Sequence, residues 1–333
     1  MTTVQATPPP GSTLVSDPAP TVGEGLRLLA AQFWIQTLVG MSRRRPKFMR
    51  GLRGVGVWFA WNCSPKVREA TLANAGRILG DKNTPVARRR LAKAMIGSFY
   101  DFLLDIGRHR DRDATQLVRE VESIEGAEAY ALARSSGKGA ILVTAHLGSF
   151  EVGAAVLKSQ EPRVHVVFQR DPMPLFEKLR SDQHRRVGLI EAPVNPASGQ
   201  DAWTVWMSLR DALLRNEVVL MQGDRVMPGQ RGSRIPFLGG HIVMPPGPVK
   251  LALATGAPII PVCSPRTAGG RVRIIMEKPI WVTPRTSDRS EPHPAELELA
   301  KVLERWLSQF AEQWMMVQKV WCEDAESGAR VNQ

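Results

Sequence analysis

The sequence predicts an α/β fold: a mostly parallel or mixed central sheet flanked by helices, standing behind a helical N-terminal region. Three observations carry this. Strand and helix signals alternate from residue 139 to 277. Ile141-Leu-Val-Thr-Ala145 is an apolar run of the kind that is buried on both faces of a parallel sheet. The segment before residue 110 carries helical rather than strand patterning. At 333 residues the chain has room for one large α/β domain or two small ones, and the alternation favours one.

In chain order, residues 1–22 are rich in Pro, Thr and Ser and read as a disordered leader, without the basic-then-apolar pattern of a secretory signal. Residues 25–41 are apolar but interrupted by Arg27, Gln32 and Gln36. They fall short of the ~20 residues a spanning helix wants. They read as an amphipathic helix lying in a membrane interface, with a short spanning helix as the alternative. Arg43, Arg44, Arg45, Lys47, Arg50 and Arg53 follow, and Trp58, Phe59 and Trp61 come soon after. Basic residues beside an apolar helix attract anionic lipid, and tryptophans favour the headgroup level. The formal net charge of +12 would also suit a nucleic acid, but no nucleic-acid-binding motif accompanies it, so an anionic membrane surface is the expected partner. The expected organisation is thus a leader over 1–22, a helical membrane-associating region over 23–110, an α/β domain over 111–322 and a tail over 323–333. Arg88-Arg-Arg90 sits in a helical pattern and reads as a solvated face.

The chemistry concentrates at the end of the first strong strand. Residues 141–151 run through the apolar strand to His146, Gly148 and Glu151, and Val152 onward suits a helix. The carboxyl end of a strand is where open α/β sheets place ligands. On a regular helix an i, i+5 pair is separated by about 140°. A His146–Glu151 contact therefore needs the His in the loop and the Glu in the first helical turn. There the imidazole can take a proton from a hydroxyl while the carboxylate fixes its tautomer, which suggests acyl transfer to an alcohol or amine. Gly148 suits close backbone approach to a ligand, with N–H groups at the helix start facing a developing oxyanion. Arg170 ends the strand Val164–Phe168. It suits the same oxyanion, a substrate phosphate, or a surface ion pair with Asp171. Asp224 and Arg225 end the strand within 217–225 and either pair with each other or reach the site. Arg231 and Arg234 lie in a Gly-flanked loop suited to phosphate or phosphopantetheine. His165 reads as a packing position, and His184, beside Arg185 and Arg186, as part of a solvated helix face.

Negative signals narrow the class. Cys63, Cys263 and Cys322 form no CxxC pair, and no His/Cys/carboxylate set has metal-ligand spacing, so neither metal nor other cofactor is expected. There is no P-loop, no Gly-x-Gly-x-x-Gly and no Gly-x-Ser-x-Gly. The last absence argues against a Ser-based lipase and for direct attack on an acyl thioester.

The spacing His146-x-Gly148-x-x-Glu151 resembles the signature of glycerolipid acyltransferases. It is most similar to that of the late acyltransferases of lipid A biosynthesis and the related phosphatidylinositol mannoside acyltransferases. Four further blocks agree in order: Gln169-Arg170-Asp-Pro172, Gly223-Asp224-Arg225, Ile235 through Gly247 to Pro261, and the closing Gln313-Trp314 to Trp321. Arg68 to Asn74 is a looser match, so the resemblance spans roughly 55–322. It implies a glycerolipid-acyltransferase-like fold at the cytoplasmic face of an inner membrane. The implied donor is an acyl carrier protein or coenzyme A thioester, and the acceptor a lipid hydroxyl. The tail reads Val317-Gln318-Lys319 where a His-Arg-Arg pattern is associated with lipid A enzymes, so the acceptor lipid stays open. The alternative reading is a catalytically inactive, basic membrane adaptor with the same fold.

Overall fold

The computed structural model describes residues 33, 36–170, 174–194, 199–226, 232–285 and 291–322. The leader, most of the apolar segment 25–41, Asp171, Arg231 and the tail from 323 lie outside the described residues.

Among the described residues six α-helices precede the first strand: α1 (36–44), α2 (Pro46–Gly51), α3 (Arg53–Cys63), α4 (Pro65–Leu79), α5 (Pro85–His109) and the short α6 (Ala114–Val118). Proline at the first turn starts α2, α4 and α5, where a missing N–H costs nothing. Thr84 caps α5 by accepting from the Ala87 N–H. The 25-residue α5 is the spine of this region. Its Ala92, Met95 and Ile96 join the core beneath the sheet, while Leu103 and Ile106 pack with Val39 of α1. Gly107 permits that second contact, because a Cβ there would sit 2.3 Å from the Val39 carbonyl oxygen. The helical region thus shares its core with the α/β portion. Among the described residues no helix is long and apolar enough to cross a membrane.

The sheet has seven strands in the order β1-β9-β8-β2-β5-β3-β4. They are β1 (Val121–Glu125), β2 (Ala140–Thr144), β3 (Val164–Phe168), β4 (Ile190–Pro193), β5 (Val218–Gln222), β8 (Ile259–Cys263) and β9 (Val272–Met276), and the helices between them include α7 (Ala127–Arg134), α8 (Phe150–Gln160), α9 (Pro174–Val187), α10 (Gly199–Leu214) and α11 (Gly247–Thr255). All neighbours are parallel except β8 and β9, so the sheet is mixed and mostly parallel, as expected. A hairpin, β6 (Ser233–Phe237) and β7 (Gly240–Met244), stands apart. Every residue of β2 and β8 is buried, and the pleat divides them between two cores. Ile141, Val143 and Ile259 face one, with the long α5 and α12 (Pro294–Phe310). Ala140, Leu142 and Ile260 face the other, with Val152 and Val156 of α8 (Phe150–Gln160).

Candidate active site

Register places the site. Ala140 pairs with Val218 and Thr144 with Gln222, so β2 and β5 end level and the chain two residues beyond each is His146 and Asp224. By the same count β3 brings Arg170, and β8 brings Ser264, to the same edge. The row across the carboxyl ends is therefore Arg170, Asp224, His146, Ser264.

His146 and Asp224 are joined twice. The His146 backbone N–H donates to Asp224 Oδ2 at 2.9 Å, and His146 Nδ1 lies 2.8 Å from Asp224 Oδ1. The indole N–H of Trp314 adds a third bond, to Oδ2 at 2.9 Å. Asp224 is 1% exposed. Burial alone would raise its pKa, yet the facing imidazole and the bonds from His146 and Trp314 bring it down to about 2. An ionised carboxylate only accepts, so Nδ1 carries the hydrogen, which in a neutral ring leaves Nε2 as the acceptor. Phe150 stands edge-on to the ring, 6.3 Å between centroids.

This corrects the expected pairing. Glu151 does lie in the first turn of α8, with His146 in the preceding loop, but the carboxylate that orients the imidazole is Asp224. Glu151 turns instead towards His184, Oε2 to Nε2 at 3.9 Å. The reason is strand order: β5 inserts between β2 and β3, putting Asp224 in register with His146, whereas the start of α8 leaves the sheet edge. His184 is corrected with it. It is buried, bonds Glu191 at 3.0 Å through Nδ1 and packs edge-on against Phe168, so it does not lie on a solvated face. His165 is buried, with Nε2 2.6 Å from Glu217.

Gly148 is also reassigned. Its φ is +66°, and a Cβ would meet the Ser264 carbonyl oxygen at 2.2 Å, so glycine is required here for close approach of protein backbone. Its N–H donates to Gln313 O at 3.1 Å, and that of Ser149 to Ser264 O at 2.8 Å. The amides of Gly148 and Ser149 are therefore engaged by protein carbonyls. Met315 N–H closes the clamp by donating to His146 O at 2.8 Å.

The arginines separate. Arg170 stands two strands from His146, about 10 Å at the usual spacing of neighbouring strands. Its side chain is 69% exposed and pairs loosely with Glu177 at 3.8 Å; the expected pairing with Asp171 lies outside the described residues. Arg225 is more enclosed, with its Nε buried and without a hydrogen-bond partner. Gln169 Oε1 and Arg180 Nε are buried in the same unpaired way. Arg180 belongs to α9 (Pro174–Val187) and covers the Phe168 ring at 4.1 Å. Arg234 lies on β6, outside this row.

Two contributors escaped the sequence reading. Trp314 was legible only as part of the closing segment. A fully buried indole needs an acceptor for its N–H, which is the signal that could have pointed it at a carboxylate. Arg266 bonds Ser149 Oγ at 2.8 Å and pairs with Asp105, tying α5 to the loop after His146. No local pattern marks it.

Curated relatives share parts of this chain. A phosphatidylinositol mannoside acyltransferase of Mycobacterium tuberculosis (strain CDC 1551 / Oshkosh) is 26% identical over 190 residues, covering 56% of this chain and 58% of the relative. The protein of the same name from strain ATCC 25618 / H37Rv is 29% identical over 149 residues, 44% of either chain. That from Mycolicibacterium smegmatis is 25% identical over 225 residues, 67% of this chain and 70% of its own length. The chain thus spans about half the length of the first two relatives it matches. The family model for bacterial lipid A biosynthesis acyltransferases matches residues 28–323, and the chain belongs to that family.

Proposed function

We propose that this protein is a membrane-associated O-acyltransferase that moves a fatty acyl chain from a thioester to a hydroxyl of a lipid acceptor. The carrying observation is the His146–Asp224 pair, in which an ionised, buried carboxylate holds Nδ1–H and leaves Nε2 to accept a proton. In the proposed step Nε2 removes the acceptor's hydroxyl proton and the oxygen attacks the thioester carbonyl. The tetrahedral oxyanion collapses with loss of the thiolate, which the imidazolium protonates. With the Gly148 and Ser149 amides engaged, we assign oxyanion or substrate contact first to Arg225, whose buried Nε lacks a partner. Arg170 is assigned to an outer part of the acceptor site.

The donor is a carrier-protein or coenzyme A thioester. The family and relatives carry the names of two glycolipids, lipid A and phosphatidylinositol mannoside, which supports a glycolipid as acceptor. The unpaired Nε donors of Arg180 and Arg225 and the unpaired Gln169 Oε1 acceptor are of the kinds that suit hydroxyls, because a hydroxyl both donates and accepts. Arg231 and Arg234 are assigned to phosphate contacts. The working surface is the cytoplasmic face of the inner membrane. It is approached through Arg44, Arg45, Lys47 and the exposed aromatic residues of α2 and α3, together with the apolar segment before them.

The test is transfer of label from radiolabelled acyl thioesters into a total lipid extract. Wild type is expected to make a labelled lipid, and His146→Ala to remain folded and make none. Equal turnover by the two proteins would remove His146 from the mechanism. No product from wild type with either donor would favour the inactive adaptor.

A further inference from the structure

A second charged feature lies outside the His146 site. Arg43 at the end of α1, Arg110 and Asp111 just past α5, and Asp182, Arg185 and Arg186 in α9 line one cleft of about 370 Å³. That size lies within the range of small-molecule sites, ~300–1,000 Å³. Its three walls come from parts of the chain far apart in sequence. They are fixed to one another by the apolar cluster of Val39, Leu103, Ile106 and Leu179. The arginines are therefore held together by packing and do not meet only by chance side-chain motion.

Four guanidiniums against two carboxylates leave the cleft with two unbalanced positive charges. Arg43 is paired with Asp111 at 2.6 Å, and Arg185 sits 3.7 Å from Asp182. Arg110 and Arg186 have no carboxylate within ion-pair distance among the described residues. Basic residues at helix ends are ordinarily explained by the helix dipole, and Arg110, Arg185 and Arg186 all lie at carboxyl ends. The dipole accounts for each helix singly. It does not account for their facing one another, and Arg43, across a shared cavity. Neighbouring residues supply a contrast. Arg108 and Arg112 flank Arg110 in sequence, yet both turn to Glu120, whose carboxyl His109 and Arg108 hold at about 2 against the cost of its burial. The protein thus neutralises the arginines on either side and leaves Arg110 to the cleft.

We propose that this cleft binds a phosphate group, with Arg110 and Arg186 as its principal ligands and Arg43 and Arg185 at its rim. The planar guanidinium fork matches phosphate oxygens, and prepositioned donors reduce the ordering cost of binding. Two sources share this chemistry. One is the phosphate of a lipid headgroup, since α1 runs directly into the basic segment of α2. The other is a phosphate of the donor thioester. From Phe102, which stacks on Phe150 beside His146, to Arg110 is eight residues of α5, about 12 Å of helix rise. A phosphate seated here would stand well back from the reacting atoms.

The site does not depend on the role of His146, and its test is independent of turnover. Inorganic pyrophosphate is titrated calorimetrically into the full chain as wild type, Arg110→Gln/Arg186→Gln, Arg186→Gln alone, Arg44→Gln/Arg45→Gln and His146→Ala. The paired cleft variant is expected to bind about tenfold or more weakly, the cost of losing charge-assisted bonds. Arg186→Gln alone should show part of the loss, so a folding defect in the pair leaves the test intact. Arg44→Gln/Arg45→Gln and His146→Ala should bind as wild type does. Absent binding in wild type would overturn the proposal. So would a loss as large with Arg44→Gln/Arg45→Gln, which would mean diffuse attraction. Competition then distinguishes the sources. Displacement of pyrophosphate by coenzyme A assigns the cleft to the donor, and displacement by phosphatidylglycerol vesicles assigns it to lipid. Displacement by neither leaves an adventitious anion only and sinks the site.

Discussion

At the scale of single residues, the Asp224 carboxylate is the controlling group. It accepts three donors: the His146 backbone and ring N–H groups and the Trp314 indole. An amide in its place must turn an NH₂ towards one of them. Asp224→Asn is therefore expected to lower kcat by about 10²–10⁴ through a misoriented imidazole. It should also destabilise the fold by about 1–3 kcal/mol through the unsatisfied donor. Glu151→Gln leaves Nδ1 held and should cost kcat at least tenfold less, so equal losses in the two variants would restore Glu151 as the partner. Acid supplies a separate check. A carboxylate whose pKa is lowered by folding binds fewer protons folded than unfolded. Its stabilisation is complete above its ordinary value of 3.8 and is withdrawn as pH falls towards about 2. In urea titrations the stability gap between wild type and Asp224→Asn should thus narrow from pH 6 to pH 2.5, and a constant gap would contradict the assignment. His146 was legible in the sequence because strand, histidine and glycine are contiguous. Its partner was not, because 78 residues separate it from Asp224 and only strand order joins them.

At the scale of elements, the loop from His146 to Ser149 is held on three sides: by Asp224, by Ser264 at the end of β8, and by Gln313 and Met315 of the closing segment. Gly148 is its tightest point. Alanine there needs a positive φ at a cost of about 1–2 kcal/mol and drives Cβ into backbone of Ser264 and Pro265, which has no rotamer with which to yield. Gly148→Ala is expected to lose about 2–4 kcal/mol of stability and most of its turnover. Thermal unfolding beside kcat checks this, and a variant with wild-type melting would show that the loop shifts freely. Strands β2, β3 and β5 could be read from their apolar runs ending in polar residues. The antiparallel turn to β9 could not, since hydrophobic pattern does not encode strand direction. The depth of α5 was also hidden: Ala92 and Met95 look like one face of a surface helix until α3, α4 and the closing segment cover them.

At the scale of the whole molecule, α3 carries an apolar stripe that is exposed in part. Val55, Trp58 and Phe59 recur at helical spacing on α3 and are 62%, 64% and 44% exposed, with Phe48 of α2 exposed beside them. Exposed Arg44, Arg45, Lys47 and Arg50 border the stripe. An apolar face rimmed by cations suits an anionic bilayer, where aromatic rings settle at headgroup depth and each nearby cation contributes about 1 kcal/mol. In the sequence the basic and aromatic residues carry the expectation of a membrane face, with the apolar segment before them expected to lead. Of its described residues, Val39 is buried against α5, while Phe33 and Met41 are exposed. Trp58→Ala/Phe59→Ala is accordingly expected to weaken partition into phosphatidylglycerol-containing vesicles by about tenfold, for roughly 1–2 kcal/mol of lost apolar burial. Raising the salt should weaken wild type and variant alike, because the charges bordering the stripe are untouched. The variant should keep its turnover on acceptor in detergent micelles and lose it on acceptor in vesicles, since α3 lies far from the His146–Asp224 pair in the chain and contributes nothing to it. A variant that partitions as wild type does would move the docking face away from α3, and one that fails equally in micelles would tie α3 to the chemistry itself.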